Sequence, residues 1–288
     1  MKVARQPAEL ERRPRSVAIG TFDGVHRGHR QVLETARRGG ATLTVITFDP
    51  HPRAVLRGPV ELLTTLERRL ELLENAGVED VLVVEFTDEL AQLAAEEFAE
   101  RYLRAIGVEA VAAGDTFRFG HKRRGDLELL ERLGFRVLPV ASVSGVSSTA
   151  IREHLHAGAV EHAAKGLGRP PELDGTVVHG EARGAQLGFR TANLDVDASL
   201  LVPRNGIYAG AALGRRAAIS IGVNPHYGGT TRTIEPHLLD FEGDLYGQRL
   251  VVELWAYLRE EAAFESEDAL VAQIARDVEA TRAAVRPA

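Results

Sequence analysis

Between residues 16 and 140 the chain alternates between two periodicities, and this alternation constrains its fold more than any other feature. Five β-rich runs, at 16–21, 41–48, 80–86, 108–113 and 135–140, are separated by segments with helical spacing. In one of these, 64–76, Leu66, Leu70 and Leu73 recur at helical intervals behind a threonine N-cap, and Gly77 stops the helix. Strands alternating with helices predict a parallel sheet wound on both faces. Past about residue 167 the helical period vanishes. Runs such as GTVVHG, GIYAGAAL, RAAISIGV and RLVVELWAYL are separated by Gly, Pro, Asn and Asp, a pattern that predicts an antiparallel barrel or sandwich. A helix over 266–284, with a serine N-cap, returns Leu270, Ile274 and Val278 to one face. The expected architecture is an α/β doubly wound domain over 1–166, then an antiparallel β-barrel or sandwich over 167–288 with a C-terminal helix. The break falls in KGLGRPPELDG.

Composition narrows the chemistry. Cysteine is absent, which excludes disulfides, thiolate zinc sites, iron–sulfur ligation and a cysteine nucleophile. The 35 basic and 41 acidic residues leave a net charge of −6, with no general attraction for nucleic acid or acidic lipid. No apolar run reaches the ~20 residues of a membrane helix, and the first residues lack the apolar stretch of a signal peptide. The expectation is a cytoplasmic protein acting on small molecules, without nucleic-acid or membrane partners, as a monomer or weak homo-oligomer.

Two motifs carry chemistry. In Gly20-Thr21-Phe22-Asp23-Gly24-Val25-His26-Arg27-Gly28-His29 a strand ends, a glycine-containing turn follows, and a helix begins near Gly28. Free N–H groups at a helix N-terminus suit phosphate. His26 and His29, three residues apart, can face one side of that turn and donate to phosphate oxygens as charge builds. In Val146-Ser147-Ser148-Thr149-Ala150-Ile151-Arg152 hydroxyls cap a second helix, with Arg152 one turn in. Both motifs follow strands, where open parallel sheets bind ligands.

With these residues in view, GTFDGVHRGH and VSSTAIR resemble the two signature motifs of the HxGH nucleotidyltransferase superfamily. TFDPHP at 47–52 and GDTFRFG at 114–120 narrow the resemblance to its flavin-nucleotide branch. The second half is similar to riboflavin kinases through LGRP at 167–170, GTVVHGEARGAQLGFRTANL at 175–194, IEPHLLDFEGDLYG at 234–247 and the late FESEDALVAQIARD. Nearly the whole chain therefore resembles bacterial bifunctional riboflavin kinase/FMN adenylyltransferases.

That resemblance implies FAD biosynthesis: ATP phosphorylates riboflavin to FMN, then adenylylates FMN to FAD, with Mg²⁺. It implies that His26, His29, Arg152 and Glu235 are catalytic. Gly20, Phe22, Asp23, Gly28, Ser147, Ser148, Thr149 and Asn193 would bind ATP and its phosphates, and Thr191 and Asn193 the metal. Asp115, Thr116, Phe117 and Phe119 would line the flavin side. Asp23 can equally orient a backbone turn, and His51 can touch ATP or pack in its own turn. The chain differs from the family pattern at Arg190, where proline is usual, at Thr116, at Pro171, and at Asn224-Pro225-His226-Tyr227. A second reading is a nucleotidyltransferase acting on FMN or a modified flavin, with a kinase-inactive barrel. A third is a flavin-binding protein without activity.

Overall fold

The structure, a computed structural model, describes residues 1–180, 189–223 and 232–288. The stretch at 224–227 and part of the kinase-like motif, 181–188, lie outside the described residues. The chain forms two compact units: residues 1–61 with 66–146, and residues 62–65 with 147–288.

The first unit is built on six parallel strands: β1 (Lys2–Ala4), β2 (Arg15–Ile19), β3 (Thr42–Asp49), β4 (Asp80–Glu85), β5 (Val108–Gly114) and β6 (Arg136–Val140). Their order is β1-β4-β3-β2-β5-β6. All five expected strands form. The three-residue edge strand β1 is too short to show a period in the sequence. The helices are α1 (Arg27–Arg37), α2 (Pro52–Arg57), α3 (Leu66–Asn75), α4 (Asp88–Gln92), α5 (Ala95–Phe98, continued as a π-helix to Arg104) and α6 (Leu127–Arg132). Successive strand residues point to opposite faces, and both faces are covered. Val17, Ile19, Ile46 and Val111 pack with Phe98, Leu103 and Leu130. Ala18, Val45, Val81 and Ala112 pack with Leu33, Ala36 and Leu73. This is why the strands read as continuous apolar runs rather than alternating ones.

The winding reverses beside β2. The chain runs from β2 through β3 to β4 on one side and then crosses to β5 on the other. The carboxyl ends of β2 and β5 therefore flank the crevice where such sheets take ligands. A buried charge pair ties the opposite edge. Arg15 is 1% exposed and donates to the Asp80 carboxylate, to Thr44 Oγ1 (2.9 Å) and to the Ile106 carbonyl (3.0 Å). Burial works to raise the Asp80 carboxyl. Hydrogen bonds from Arg15 and Arg13 overcome it and hold Asp80 below the usual carboxylate range.

The second unit begins with α7 (Ser148–His156) and α8 (Val160–Leu167). Its sheet comprises β7 (Glu172–Val178), β8 (Asn193–Val196), β9 (Gly206–Ala212), β10 (Arg215–Val223), β11 (Arg232–Leu238) and β12 (Arg249–Arg259). The order is β11-β10-β9-β12-β7-β8, antiparallel throughout. Ala192 N–H donates to the Pro236 carbonyl (3.0 Å), so the chain leading into β8 meets β11 and the sheet nearly closes on itself. Ile151, Leu155, Val160 and Ala163 of α7 and α8 share one core with Tyr208, Ile219, Val252 and Leu254 of the strands. Residues 62–65 join the same unit: Leu62 bridges to Leu200, and Thr65 Oγ1 donates to Asp174 (2.6 Å).

The closing helix (Glu267–Ala283) forms behind its Ser266 cap, but its anchor differs from the expected apolar stripe. Leu270, Ile274 and Val278 are only half-buried, whereas Asp277 and Thr281 are buried. Asp277 receives a two-pronged grip from Arg259, at 3.0 and 2.7 Å, and a bond from Gln273 (2.8 Å). The helix is held by a charged fork, which hydrophobic spacing cannot reveal.

Two outcomes follow from this packing. Asp80→Asn leaves the Arg15 guanidinium buried without its counter-charge and should cost about 3–5 kcal/mol in urea unfolding. Because folding lowers the Asp80 pKa, its contribution is complete above about pH 4 and lost as pH falls through the folded value, so the variant should also show a shallower acid-side decline. Separately, a fragment spanning 147–288 should unfold at higher urea by circular dichroism than one spanning 167–288, which loses Ile151, Leu155, Val160 and Ala163 from the barrel core.

Candidate functional site

The turn after β2 is wound tightly. Phe22, Gly24 and Val25 adopt φ of 50°, 81° and 40°, and Val25 N–H closes onto the Phe22 carbonyl at 2.9 Å. A β-branched residue in the left-handed region is strained by about 1–3 kcal/mol and needs its surroundings to hold it there. Phe22, Asp23 and Val25 are all buried, which supplies that hold. Thr47 Oγ1 donates to the Thr21 carbonyl (3.1 Å), and Gly20 N–H donates to the Ile46 carbonyl (3.1 Å), joining this turn to β3.

The turn delivers His26 as the N-cap of α1. Its Nδ1 accepts from the His29 backbone N–H at 3.2 Å. In a neutral imidazole an accepting Nδ1 leaves the proton on Nε2, so Nε2–H is the donor of His26. The two rings stack with centroids 3.6 Å apart and 11° from parallel, and Phe22 leans on His29 at 5.0 Å. A Cβ at Gly28 would lie 3.1 Å from the His26 ring, so glycine makes room for this stack. His29 is half-buried. Burial, followed by the neighbouring His26 and Arg69, pushes its pKa well below the usual histidine range. It is a neutral imidazole in a cationic setting, suited to meet an anion by hydrogen bonding.

Other motif residues take distinct places. His51 is 7% exposed and caps α2, its Nδ1 accepting from Arg53 N–H at 3.1 Å, so it packs in its own turn. Asp115 and Thr116 are exposed just beyond β5, and Asp115 accepts from Ser142 Oγ at 2.9 Å. Phe117 stacks on Phe119, which lies in the core against Phe98. Ser147, Ser148, Thr149 and Arg152 belong to the second unit. There Ser147 Oγ caps α7 by accepting from Ala150 N–H (3.1 Å), while Ser147 and Thr149 remain exposed.

The barrel's second constellation lies at its closing seam. On β11, Ile234, Pro236 and Leu238 are buried, while Glu235 and His237 occupy the other face. Thr191 Oγ1 donates to Glu235 Oε2 at 3.4 Å across 44 residues of sequence. Beside it the His237 Nδ1 hydrogen-bonds the Arg190 carbonyl (2.7 Å), so the backbone at 190 is clipped in place without a proline. A Cβ at Gly180 would fall 2.0 Å from the Asn193 amide, so Gly180 makes the space in which Asn193 sits. A cavity of about 1290 Å³ opens here, lined by Thr191, Asn193, Arg190, Arg282 and Tyr246 among others, with His179 stacked on Tyr246 at 3.9 Å. Among the described residues no group of three or more His, Asp or Glu gathers as a metal cage. The Thr191 hydroxyl and the Asn193 amide instead form a sparse oxygen set. Such a set fits Mg²⁺, which keeps waters and takes the rest of its ligands from substrate phosphates.

Sequence reasoning missed Arg69. It is 1% exposed on α3, donates to the Phe48 carbonyl (3.2 Å), and faces Asp23 and Asp49. Its signal was present: position 69 lies on the Leu66–Leu70–Leu73 stripe, where a charged residue is out of place.

Among the described residues no helix is long and apolar enough to cross a membrane. The FAD synthetase family model matches residues 8–152, and the riboflavin kinase model matches residues 167–285. The bifunctional riboflavin kinase/FMN adenylyltransferase of Listeria monocytogenes is 36% identical over 93% of this chain and 91% of its own length. That of Escherichia coli is 36% identical over 96% of each. A Streptococcus pneumoniae crystal structure, described as a macrolide-efflux protein, superimposes with a TM-score of 0.87 at 30% identity, covering 97% of this chain and 98% of that one. With both modules matched in order and nearly end to end, the chain belongs to the bifunctional riboflavin kinase/FMN adenylyltransferase family.

Proposed function

We propose that this chain makes FAD in two steps, with an adenylyltransferase module over 1–166 and a kinase module over 167–288. The observation that carries the bifunctional reading over a single-activity one is the Thr191–Glu235 contact. A barrel kept only as scaffold has no need to bring a hydroxyl and a carboxylate together at its seam.

In the kinase step the ribityl 5′-hydroxyl of riboflavin attacks the γ-phosphorus of ATP. An O–P bond forms, the bond to ADP breaks, and Glu235 takes the hydroxyl proton. Thr191 and Asn193 hold Mg²⁺, which when bound neutralises charge on the transferring phosphoryl group. In the second step an FMN phosphate oxygen attacks the α-phosphorus of ATP and pyrophosphate leaves. No covalent intermediate is required, so the protein's task is alignment and charge stabilisation. The His26 Nε2–H and the neutral His29 ring donate to ATP phosphate oxygens at the α1 N-terminus, where the helix's partial positive charge assists. Ser147, Ser148, Thr149 and Arg152 bind the triphosphate, Gly20 and Gly28 let it approach the backbone, and Asp23 orients the turn. Asp115, Thr116 and Phe117 line the flavin side. Phe119 supports Phe117 from the core.

His29→Ala should lower FAD formation from FMN by about 10²–10³-fold, as expected for loss of one transition-state donor, with riboflavin phosphorylation unchanged. Chromatographic assay with FMN or riboflavin supplied separately, plus ATP and Mg²⁺, reads both steps. In the same assay Glu235→Ala should abolish FMN formation and leave FMN-to-FAD conversion intact. Wild-type protein that makes FAD from FMN but no FMN from riboflavin would replace the bifunctional reading with the single-activity one.

A further inference from the structure

Arg69 stands outside every motif of the proposed chemistry, yet it is almost fully buried in the first unit. Its side chain is 1% exposed, on the stripe of α3 that packs against the sheet. Nη1 donates to the Phe48 carbonyl at 3.2 Å, in the segment that leads into the 49–52 turn. Burial lowers the Arg69 pKa, and Asp23, buried in the turn after β2, and Asp49 at the end of β3 oppose that by favouring its charged form. Its field also reaches His29 on α1. One guanidinium from a fourth element thus addresses three pieces of the candidate site: the strained turn, the end of β3 and the histidine pair. Its Nε–H is buried with no acceptor. An arginine placed only for stability would be expected to spend that donor, since an unmet buried donor is costly. A leucine would suit the stripe without leaving a donor unmet, so what arginine adds at this position is its charge.

We infer that Arg69 is a positioning residue for adenylyl transfer: it fixes the turn carrying Asp23 relative to the end of β3 and supplies the interior positive charge beneath the histidine pair. It need not touch a substrate. It acts through Asp23 and His29, and the inference rests on the adenylyltransferase reading given above. The charged groups facing His29 are His26 on the same helix and Arg69 from α3, with Asp23 and Asp49 beside Arg69. Removing the Arg69 charge removes a cation near His29, so the imidazole should protonate at higher pH.

The test uses full-length enzyme and measures FMN-to-FAD and riboflavin-to-FMN conversion in parallel across pH. Arg69→Gln should lower kcat for FAD formation about 10²-fold, the scale of a small misplacement in an aligned site. The KM for ATP should change less than about threefold and FMN formation should be unchanged, because the loss falls on alignment. The acid limb of the FAD-forming profile should move to higher pH. Arg69→Lys keeps the charge but loses the fork, so the limb should stay in place with kcat reduced about tenfold. A kcat for Arg69→Gln within twofold of wild type, or a lowered rate with an unmoved acid limb, overturns the inference. If Arg69→Gln does not fold, Arg69→Lys decides: wild-type kcat in that variant overturns the positioning role, and reduced kcat with an unmoved limb sustains it. His29→Ala, assayed alongside, separates the two levels. Normal FAD formation by that variant would fell the adenylyltransferase reading itself, whereas a dead His29→Ala beside an unaffected Arg69→Gln fells only the role of Arg69.

Discussion

All six strands of the first sheet point the same way, so every loop that follows a strand leaves from one edge. This constraint gathers residues 20–26, 49–51 and 114–117 at the same end of the sheet although they are spread over nearly a hundred positions. The order reversal beside β2 then opens a crevice between the turn after β2 and the loop after β5. The part of the proposed adenylyl-transfer site that the first unit supplies from its loops depends on that shared exit. The opposite edge is tied by Arg15 and Asp80, a buried pair whose bonds reach β3 and the turn before β5. One edge is fastened and the other presents function.

The second unit solves a related problem by closure. Its antiparallel sheet would leave β8 and β11 as free edges, and the Ala192–Pro236 hydrogen bond brings them together. The same seam carries Thr191 next to Glu235 and the Arg190 carbonyl next to His237. Structural closure and the candidate kinase chemistry are therefore one set of contacts. The clip at 190 also accounts for the tolerance of arginine at a position where proline is usual: the backbone is restrained from outside the residue, and the side chain is left to line the cavity.

The first site places polar groups where burial makes them costly. His29 is driven toward its neutral form, Asp23 is buried in a strained turn, and Arg69 is sealed beneath them. Such arrangements persist when the surrounding core over-determines them. Here the packed faces of the sheet and the stacked histidine rings do so. Two further charge pairs, Arg259 with Asp277 and Arg249 with Asp174, fasten the closing helix to β12 and β12 to β7.

Strand–helix alternation, the loss of helical period past residue 167 and the two phosphate motifs were all readable from the chain alone, because each rests on local periodicity or on residues close in sequence. That His26 and His29, three residues apart, can share one side of the turn belongs to that class, whereas their ring stacking is seen only in the structure. The Thr191–Glu235 contact does not: residues 44 apart meet only when the barrel closes, and before closure Glu235 is one more outward strand residue. Nor does Arg69, whose place on an apolar stripe reads as a lapse in the pattern until the sheet brings Asp23 and Asp49 to it. The closing helix failed as a hydrophobic stripe for the same reason, its anchor being Arg259 on another element. Local chemistry set which elements form and which turns offer free N–H groups at a helix start. Only the tertiary structure decided which charges are buried together, because the pairing of distant groups depends on strand order and closure, and no periodicity in the chain encodes either.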